Sequence, residues 1–551
     1  MKFTNSLIHI LLFIFSLSNL HPQAVNSAKN NQTEKYLVSS IQKQMDILHY
    51  HLKIKLLPKI KKITGSTIIT ATLNNIDTNS DSVIELNFYD NLEINRLLVN
   101  NLESNYYRKN NRVFIRLNKI SADTFYVQID YEGTPSKEGF EGFVFGEINN
   151  QSLVYSINEP DIASTWFPCD DDPADKALLD IEITSDSQFI SVSNGLLKSV
   201  KRIDSLTTYH YKTVYPISTY LIALYSAPYS NFSNIYRGID GNDSMKVEYY
   251  VLPEHLQQAK VDLAEHVEML KVLSGLLGEY PFIKEKYGVA EFLWNYGAME
   301  NQTITGIGYY FLNGSLNFRD TYVHELAHHW WGNSVGLKSW KDIWLNEGFA
   351  TYCEALYAEI KNGKDALASK MMGKFSKNFK GTLYNPSDLF SETVYDKGAW
   401  ALHMLRFEIG DSFFFSSLKK YYDTFKYSNA SVDDFKKVCE QVSDKNLDKF
   451  FDQWIFTGTE IPVCEYSFSN ENVDGKNFCK VEINQKQKKY PEFHFPLEMK
   501  LNYDDVAFTL SKVYVDKIEN EFIIPTEKEV KDIIFDPESK MLFIIKKSLM
   551  E

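Results

Sequence analysis

Cysteine and basic residues are scarce in this sequence. Only five cysteines occur among 551 residues, too few for a fold held together by disulfides. The 58 lysines and arginines are outnumbered by 72 aspartates and glutamates, which gives a formal net charge of -14. Nucleic acids and anionic membranes attract the opposite charge, so we expect no nucleic-acid partner and no stable membrane association. A cationic ligand suits this charge better.

Long hydrophobic runs are also missing, since a bilayer-spanning helix needs about 20 apolar residues. A shorter apolar stretch, residues 7–17, follows Lys2 and precedes small residues, with Val25 and Ser27 at the positions that a signal peptidase recognises. We therefore predict a signal peptide over residues 1–28 and an exported protein, periplasmic or secreted. An uncleaved membrane anchor is the less favoured alternative.

The remaining sequence predicts a multidomain α+β fold. Its length and its 44% hydrophobic content provide for several packed cores. Residues 29–240 alternate apolar and polar side chains in short runs, which predicts an N-terminal β-sandwich-like domain. Over residues 241–459 successive apolar residues lie three and four residues apart, which predicts a mainly helical domain. Short alternating runs return over residues 460–551 and predict a small C-terminal β-sandwich domain.

The helical region contains the motif His324-Glu325-Leu326-Ala327-His328. On a helix the two histidines lie one turn apart on the same face, so both imidazoles can bind one metal ion. Glu325 points elsewhere and is a candidate general base for a water on that metal. Glu347, separated from His328 by eighteen residues, supplies a carboxylate. Two imidazoles and one carboxylate with an open fourth position are typical of a catalytic Zn2+, here one per chain.

Three more motifs accompany the histidine motif. They are Gly297-Ala298-Met299-Glu300-Asn301, Tyr395-Asp396-Lys397-Gly398 and the upstream segment 158–169, which contains Glu159 and a Phe-Pro-Cys element. With these motifs the sequence resembles the zinc-dependent aminopeptidase N family of gluzincin metallopeptidases. The stretch from Glu347 to Tyr395 is shorter than is usual in that family, which suggests trimmed helices or loops.

The resemblance implies an enzyme, a zinc-dependent aminopeptidase with a thermolysin-like catalytic domain. It implies that Glu325 acts as the general base and that Tyr395 donates to the oxyanion of the tetrahedral intermediate. Many family members add a large helical C-terminal domain that closes over the active site. This sequence matches a short form without that domain, so a more open cleft is expected.

The resemblance also implies how a peptide with a free N-terminus would bind. Glu300, and less directly Glu159, are expected to pair with the α-ammonium group and so to select exopeptidase substrates. Gly297 and Ala298 are expected to line the extended substrate backbone. Met299 is expected to form the floor of the pocket for the first side chain, with tolerance for apolar or basic residues.

Two other functions remain open for the same zinc ligands. A thermolysin-like endopeptidase would share them but would have no need of the paired carboxylates. A non-catalytic zinc-bound scaffold that binds peptides would need neither the base nor the tyrosine. An epoxide-opening branch of the family carries a helical C-terminal domain, which the β-rich pattern after residue 460 argues against. The sequence leaves the oligomeric state open.

Several residues near the motifs have structural interpretations. On the helix after the glutamate ligand, Thr351 or Glu354 could accept a hydrogen bond from a zinc-bound histidine. His329 lies off the face of the two ligand histidines and is predicted to be structural. Cys464 and Cys479 lie on two alternating runs that could be neighbouring strands, and a disulfide between them is left open.

Overall fold

The computed structural model describes residues 38–73, 82–117, 124–504 and 506–548. The predicted signal peptide, residues 1–28, lies outside them. Within the described ranges, no helix combines the length and the apolar character that a membrane span requires. One continuous apolar core runs through all three regions of the chain.

The N-terminal region is β-rich, as predicted. In Met45–Leu57 the buried Leu52 and Ile54 alternate with the exposed Lys53 and Lys55, because successive side chains of a strand point to opposite faces. The strands of this region are Met45–Leu57, Lys62–Leu73, Ser82–Asn87, Leu92–Val99, Leu102–Glu103, Tyr106–Arg108, Arg112–Leu117, Thr124–Gly133, Gly142–Ile148, Gln151–Ile157, Lys176–Asp186, Ile190–Ser193, Leu196–Ile203, Leu206–Lys212, Ile217–Ser218 and Leu224–Ala227.

These strands form a nine-stranded, a four-stranded and a three-stranded sheet. Met45–Leu57 lies inside the large sheet, antiparallel to Lys62–Leu73 and parallel to Lys176–Asp186. The four-stranded sheet contains Gln151–Ile157, which leads directly into Glu159. The N-terminal region therefore carries one of the predicted substrate-binding carboxylates at the end of a buried strand.

A five-stranded sheet opens the middle region. Its first strand, Ser230–Arg237, pairs with Ser244–Val251. The predicted boundary at 240/241 falls between these two paired strands. The order in the sheet is Ser230–Arg237, Ser244–Val251, Tyr287–Phe292, Thr305–Gly308 and Ala298–Met299.

The rest of the middle region is mainly helical, which confirms the prediction made from apolar residues spaced three and four apart. The helices pack with two short strands, Val335–Leu337 and Ser428–Ala430, that pair in parallel. The α-helices are Leu256–Asp262, His266–Leu277, Arg319–Ala327, Trp344–Asn362, Lys364–Gly373, Gly398–Ile409, Asp411–Phe425, Val432–Ser443 and Asp448–Phe451, with wider π-turns at Thr393–Lys397 and Asp452–Phe456.

The last region forms a four-stranded and a three-stranded sheet. Cys464 and Cys479 lie on neighbouring antiparallel strands, as predicted. The register places Cys479 opposite Asn470, six residues along the strand from Cys464, so the two thiols are too far apart for a disulfide and both are free. The strands are Val463–Val473, Lys476–Gln485, Phe495–Asn502, Phe508–Val515, Glu519–Thr526, Asp532–Phe535 and Ile544–Lys547.

Candidate active site

The three predicted metal ligands converge on one point. The Nε2 atoms of His324 and His328 lie 3.0 Å apart, and each lies 3.4 Å from Oε2 of Glu347. Tetrahedral coordination with bonds of about 2.0 to 2.2 Å separates ligand atoms by about 3.3 to 3.6 Å. The two separations from Glu347 match this range, and the separation between the two Nε2 atoms is slightly shorter. All three side chains are buried. The donor set and its spacing therefore fit zinc.

Partners outside the ligand triangle fix both imidazole rings. Nδ1–H of His324 donates to Oε1 of Glu354 at 3.0 Å, and Nδ1–H of His328 donates to the carbonyl oxygen of Trp331 at 3.1 Å. Both Nε2 atoms are thereby left free to face a metal. Of the two residues considered for this role, Glu354 makes the contact, whereas Oγ1 of Thr351 has no hydrogen-bond partner in the described part of the chain.

Glu354 is itself held by a lysine that sequence reasoning missed. Nζ of Lys374 donates to Oε2 of Glu354 at 2.8 Å and lies 3.6 Å from Asp396. Although burial opposes it, the positive charge of Lys374 together with His324 lowers the pKa of Glu354 to about 2. Glu354 therefore stays ionised and accepts from His324 in one fixed orientation. No motif marked Lys374, because it follows a helix with no spacing relation to the ligands.

Glu325 lies beside the ligands with a carboxylate that is largely unengaged. Its Oε2 is buried and has no hydrogen-bond partner among the described residues. Burial raises its pKa, while the neighbouring His324 and His328 act in the opposite direction. A carboxylate with a raised pKa next to a metal site can both accept and return a proton.

Glu159 and Glu300 meet at the other side of the site. A carboxylate oxygen of each lies within 4.8 Å of the other and of Glu347. Oε1 of Glu159 and Oε1 of Glu300 are buried without a hydrogen-bond partner in the described ranges. Burial is the main cause of the raised pKa of both carboxyl groups, and for Glu159 the charge of Glu300 adds to it. Such a pair is incomplete without a cation.

Tyr395 borders the same space from the wide turn Thr393–Lys397. Its ring stacks on that of His324 with centroids 5.8 Å apart. Burial raises the pKa of its phenol, so the hydroxyl remains a proton donor at neutral pH. Lys397 of the same motif is buried and donates to the carbonyl oxygen of Gly458 at 2.7 Å, which anchors the turn.

All the predicted site residues line or border one cavity of about 280 Å³. Gly297 and Ala298 form part of its wall, and Met299 lies buried on the strand Ala298–Met299 at its edge. Sequence reasoning assigned no role to the aromatic side of the cavity, because it is assembled from segments that lie far apart in the sequence. That side contains Phe140, Trp294, Tyr296, Phe311 and Phe390.

His329 is structural, as predicted. It is fully buried, its Nε2 accepts from the N–H of Thr303 at 3.1 Å, and its Nδ1–H donates to the carbonyl oxygen of Glu325 at 3.3 Å. Burial lowers its pKa to about 3, so the ring is neutral. It therefore points away from the ligand triangle and ties the metal-binding helix to the segment after Glu300.

Comparison with known proteins gives two sequence matches to one family. Residues 47–221 match the Peptidase M1 N-terminal domain, and residues 264–454 match the Peptidase family M1 domain. Endoplasmic reticulum aminopeptidase 1 of Homo sapiens is 29% identical over 358 residues, which covers 59% of this chain and 37% of that protein. Probable aminopeptidase 2 of Sulfurisphaera tokodaii is 25% identical over 439 residues, which covers 73% of this chain and 53% of that protein. The chain thus spans about two fifths to one half of these relatives.

Solved structures share the fold. Aminopeptidase A of Legionella pneumophila, in complex with aspartic acid, superposes with a TM-score of 0.80 at 19% identity, covering 92% of this chain and 60% of that one. An M1 zinc metallopeptidase of Deinococcus radiodurans gives a TM-score of 0.67 at 25% identity, covering 76% and 95%. A mutant of the latter was solved bound to a Tyr-Ser-Ala substrate. With both sequence domains matched and the fold shared, the predicted resemblance is confirmed, and the chain belongs to peptidase family M1.

Proposed function

We propose that this protein is a zinc-dependent aminopeptidase that removes the N-terminal residue from peptides. The observation that carries the proposal is the pair of buried carboxylates of Glu159 and Glu300, whose oxygens lie within 4.8 Å of the metal ligand Glu347 and which each have an Oε1 without a hydrogen-bond partner among the described residues. A metal site for hydrolysis alone would leave these two groups uncompensated. A substrate α-ammonium group supplies the missing charge beside the scissile bond.

The roles of the residues follow from their positions. Bound by His324, His328 and Glu347, zinc supplies Lewis acidity and an activated water at neutral pH. Glu325 accepts the proton of the attacking water and returns it to the leaving amine. Tyr395 donates its phenol proton in a hydrogen bond to the oxyanion, a contact worth about 3 to 4 kcal/mol where such donors have been removed.

The carboxylates of Glu159 and Glu300 also determine where the peptide is cut. At an effective dielectric near 20, one charge pair at 4 Å contributes about 4 kcal/mol before desolvation. Glu159 and Glu300 therefore favour a free amino terminus over an acetylated one. Gly297 and Ala298 border the space next to Glu300 and leave room for an extended backbone. A peptide bound in this way presents its first peptide bond to Glu325.

The composition of the cavity lining favours a substrate whose N-terminal residue has an apolar side chain. The described lining combines Met299 and Ile157 with five aromatic residues besides Tyr395, and the only charged groups besides the two histidine ligands are Glu159, Glu300, Glu325 and Glu347. These glutamates are assigned to the ammonium group, the proton transfer and the metal. We infer that leucyl and phenylalanyl peptides are better substrates than alanyl peptides, because they bury more apolar surface.

We also propose export and a C-terminal β-sandwich. Residues 1–28 have the composition of a signal peptide, and N-terminal sequencing of the mature protein from producing cells would test the cut after Ser27. In Phe495–Asn502, buried residues alternate with partly exposed ones, which supports face-to-face packing of the two last sheets.

The test compares the wild type with Glu325→Gln. Both proteins are assayed with alanyl, leucyl and arginyl amides that release a fluorophore. They are also assayed with an N-acetyl-leucyl amide and with an internally quenched peptide blocked at both ends. Bound zinc is quantified in both proteins. We expect cleavage of the free-amine amides alone, and a variant that retains zinc without activity. Cleavage of the blocked peptide would favour an endopeptidase. Zinc and peptide binding without any cleavage would favour a scaffold.

A further inference from the structure

Thr303 has a backbone conformation that β-branched residues rarely adopt. Its φ is +65°, in the left-handed region, and it is the one β-branched residue with a positive φ in the described ranges. Most other non-glycine residues with a positive φ here are Asn or Asp, which tolerate this conformation. Thr303 is also fully buried. Such strain persists only where surrounding contacts enforce it, and it clusters at functional sites.

Three hydrogen bonds enforce the conformation of Thr303. Its Oγ1 accepts from the N–H of Gly195 at 2.9 Å, its own N–H donates to Nε2 of His329 at 3.1 Å, and its carbonyl oxygen accepts from the N–H of Gly288 at 2.9 Å. Gly195 belongs to the N-terminal region, whereas His329 follows the metal-binding helix. Thr303 therefore joins the two regions three residues after Glu300.

The backbone between Glu300 and Thr303 is held equally closely. The carbonyl oxygen of Glu300 accepts from Nδ2 of Asn333 at 2.7 Å, and that of Gln302 accepts from Nδ2 of Asn194 at 2.6 Å. The intervening Asn301 accepts from the hydroxyl of Tyr225 at 2.6 Å. Oε1 of the Glu300 carboxylate has no hydrogen-bond partner among the residues that the structure describes. The carboxylate thus extends into the cavity from a firmly held stretch of backbone.

We propose that Thr303 is a positioning residue for Glu300, and that its strained turn aims the Glu300 carboxylate at the substrate ammonium group. The proposal rests on the aminopeptidase function proposed above. The Thr303 hydroxyl is the feature that matters, because it is the acceptor that links the turn to Gly195. Losing it lets the turn relax toward an ordinary conformation and rotates the segment that carries Glu300.

A pair of inhibitors that differ only in the α-amino group isolates this role. Leucine hydroxamate and 4-methylpentanohydroxamate both chelate zinc, and the ratio of their inhibition constants reports ammonium recognition alone. Glu300→Gln provides the reference value for a lost ammonium contact. Thr303→Val removes the hydroxyl at constant shape, and Thr303→Ser retains it. Bound zinc and thermal stability are recorded for every variant.

We expect Thr303→Val to reduce the preference for the amino hydroxamate about tenfold, in line with the cost of misplacing a binding group by a fraction of an ångström. Thr303→Ser should keep the wild-type ratio. An unchanged ratio in a folded, zinc-loaded Thr303→Val protein would overturn the proposal, even if its activity fell. If that variant does not fold, Thr303→Ala decides by the same ratio. A wild type that binds both hydroxamates equally would instead refute the proposed aminopeptidase function.

Discussion

Gly348 and Gly398 touch where the helices Trp344–Asn362 and Gly398–Ile409 cross. A Cβ on Gly348 would stand 2.9 Å from the Cα of Gly398, closer than real Cβ atoms come. Gly348 follows the metal ligand Glu347 directly, and Gly398 ends the motif that contains Tyr395. The contact between the two glycines therefore sets the distance between the ligand and the phenol.

Substituting either glycine should separate the two helices. We expect Gly348→Ala and Gly398→Ala to lower the free energy of unfolding by about 1 to 3 kcal/mol, because the added methyl group meets backbone atoms that cannot move aside. Amide hydrolysis should fall more than zinc content. Thermal melts, zinc analysis and rates would measure these effects.

Gly275→Ala is the matched control for these two variants. Gly275 lies in the helix His266–Leu277, and no atom of the described part of the chain lies within 4 Å of the place that an added methyl group would take. Alanine there should be neutral or should stabilise the protein by up to about 1 kcal/mol, because glycine is the poorer helix former. Equal melting temperatures for Gly348→Ala and Gly275→Ala would contradict the close crossing.

Glu354 should determine how tightly zinc is held. Glu354→Gln replaces the charged acceptor of His324 Nδ1–H by an amide, so we expect zinc affinity to fall about 10- to 100-fold. Competition with a chelator of known affinity would measure this. Glu268→Gln, on an exposed helix position paired with Lys361, should leave the affinity unchanged. Equal zinc affinity in both variants would refute the role of Glu354.

Glu159 and Glu300, the two carboxylates proposed to bind the substrate ammonium group, should act together. Glu300→Gln and Glu159→Gln are each expected to lower kcat/KM for leucyl amide by about 100-fold or more, since one charge pair contributes about 4 kcal/mol before desolvation. In the double variant, the loss of transition-state stabilisation should be smaller than the sum of the two single losses. The reason is that one remaining carboxylate already binds the ammonium group poorly. Strict additivity in this double-mutant cycle would indicate that the groups work at separate sites.

His266 should make the protein sensitive to acid. The ring is fully buried among Tyr249, Tyr287 and Tyr322, neither nitrogen has a hydrogen-bond partner in the described part of the chain, and burial lowers its pKa to about 3. The unfolded chain takes up this proton near pH 6.5, whereas the folded chain does so only near pH 3. Stability is thus lost as the pH falls below 6.5, by about 2 kcal/mol at pH 5.

His266→Phe should remove that loss. The difference in unfolding free energy between pH 7.5 and pH 5 should shrink by about 2 kcal/mol relative to the wild type, as measured by urea unfolding at both values. His494→Gln, at a half-buried position of the last region, serves as the control. A wild-type pH dependence in His266→Phe would show that this ring does not control acid stability.

The aromatic side of the cavity should set the preferred first residue. Phe140 packs edge to face against Phe390 with centroids 4.7 Å apart, and against Trp294 at 5.8 Å. Phe390→Ala removes apolar surface from this wall, so we expect the ratio of phenylalanyl to alanyl amide hydrolysis to fall about tenfold. Tyr310→Ala, an exposed aromatic residue outside the cavity lining, is the control. An unchanged ratio in Phe390→Ala would place the first side chain elsewhere.

Local spacing in the sequence was enough to identify the metal ligands. His324 and His328 share a helix face wherever that helix lies, and the family motifs singled out Glu300 and Tyr395. The alternating and helical periods likewise predicted the β-rich and helical regions, because each period follows from the geometry of one element. The sequence by itself therefore determined the types of element and the chemistry of the ligands.

Only the tertiary structure decided which distant residues complete the site. The structure selects Glu354 over Thr351 as the partner of His324 and adds Lys374, which holds Glu354. Phe140 and Phe390 meet from loops 250 residues apart in sequence. The strand register, which separates Cys464 from Cys479, depends on pairing rather than on composition. These relations arise from packing between elements, and packing leaves no periodic trace in a single sequence.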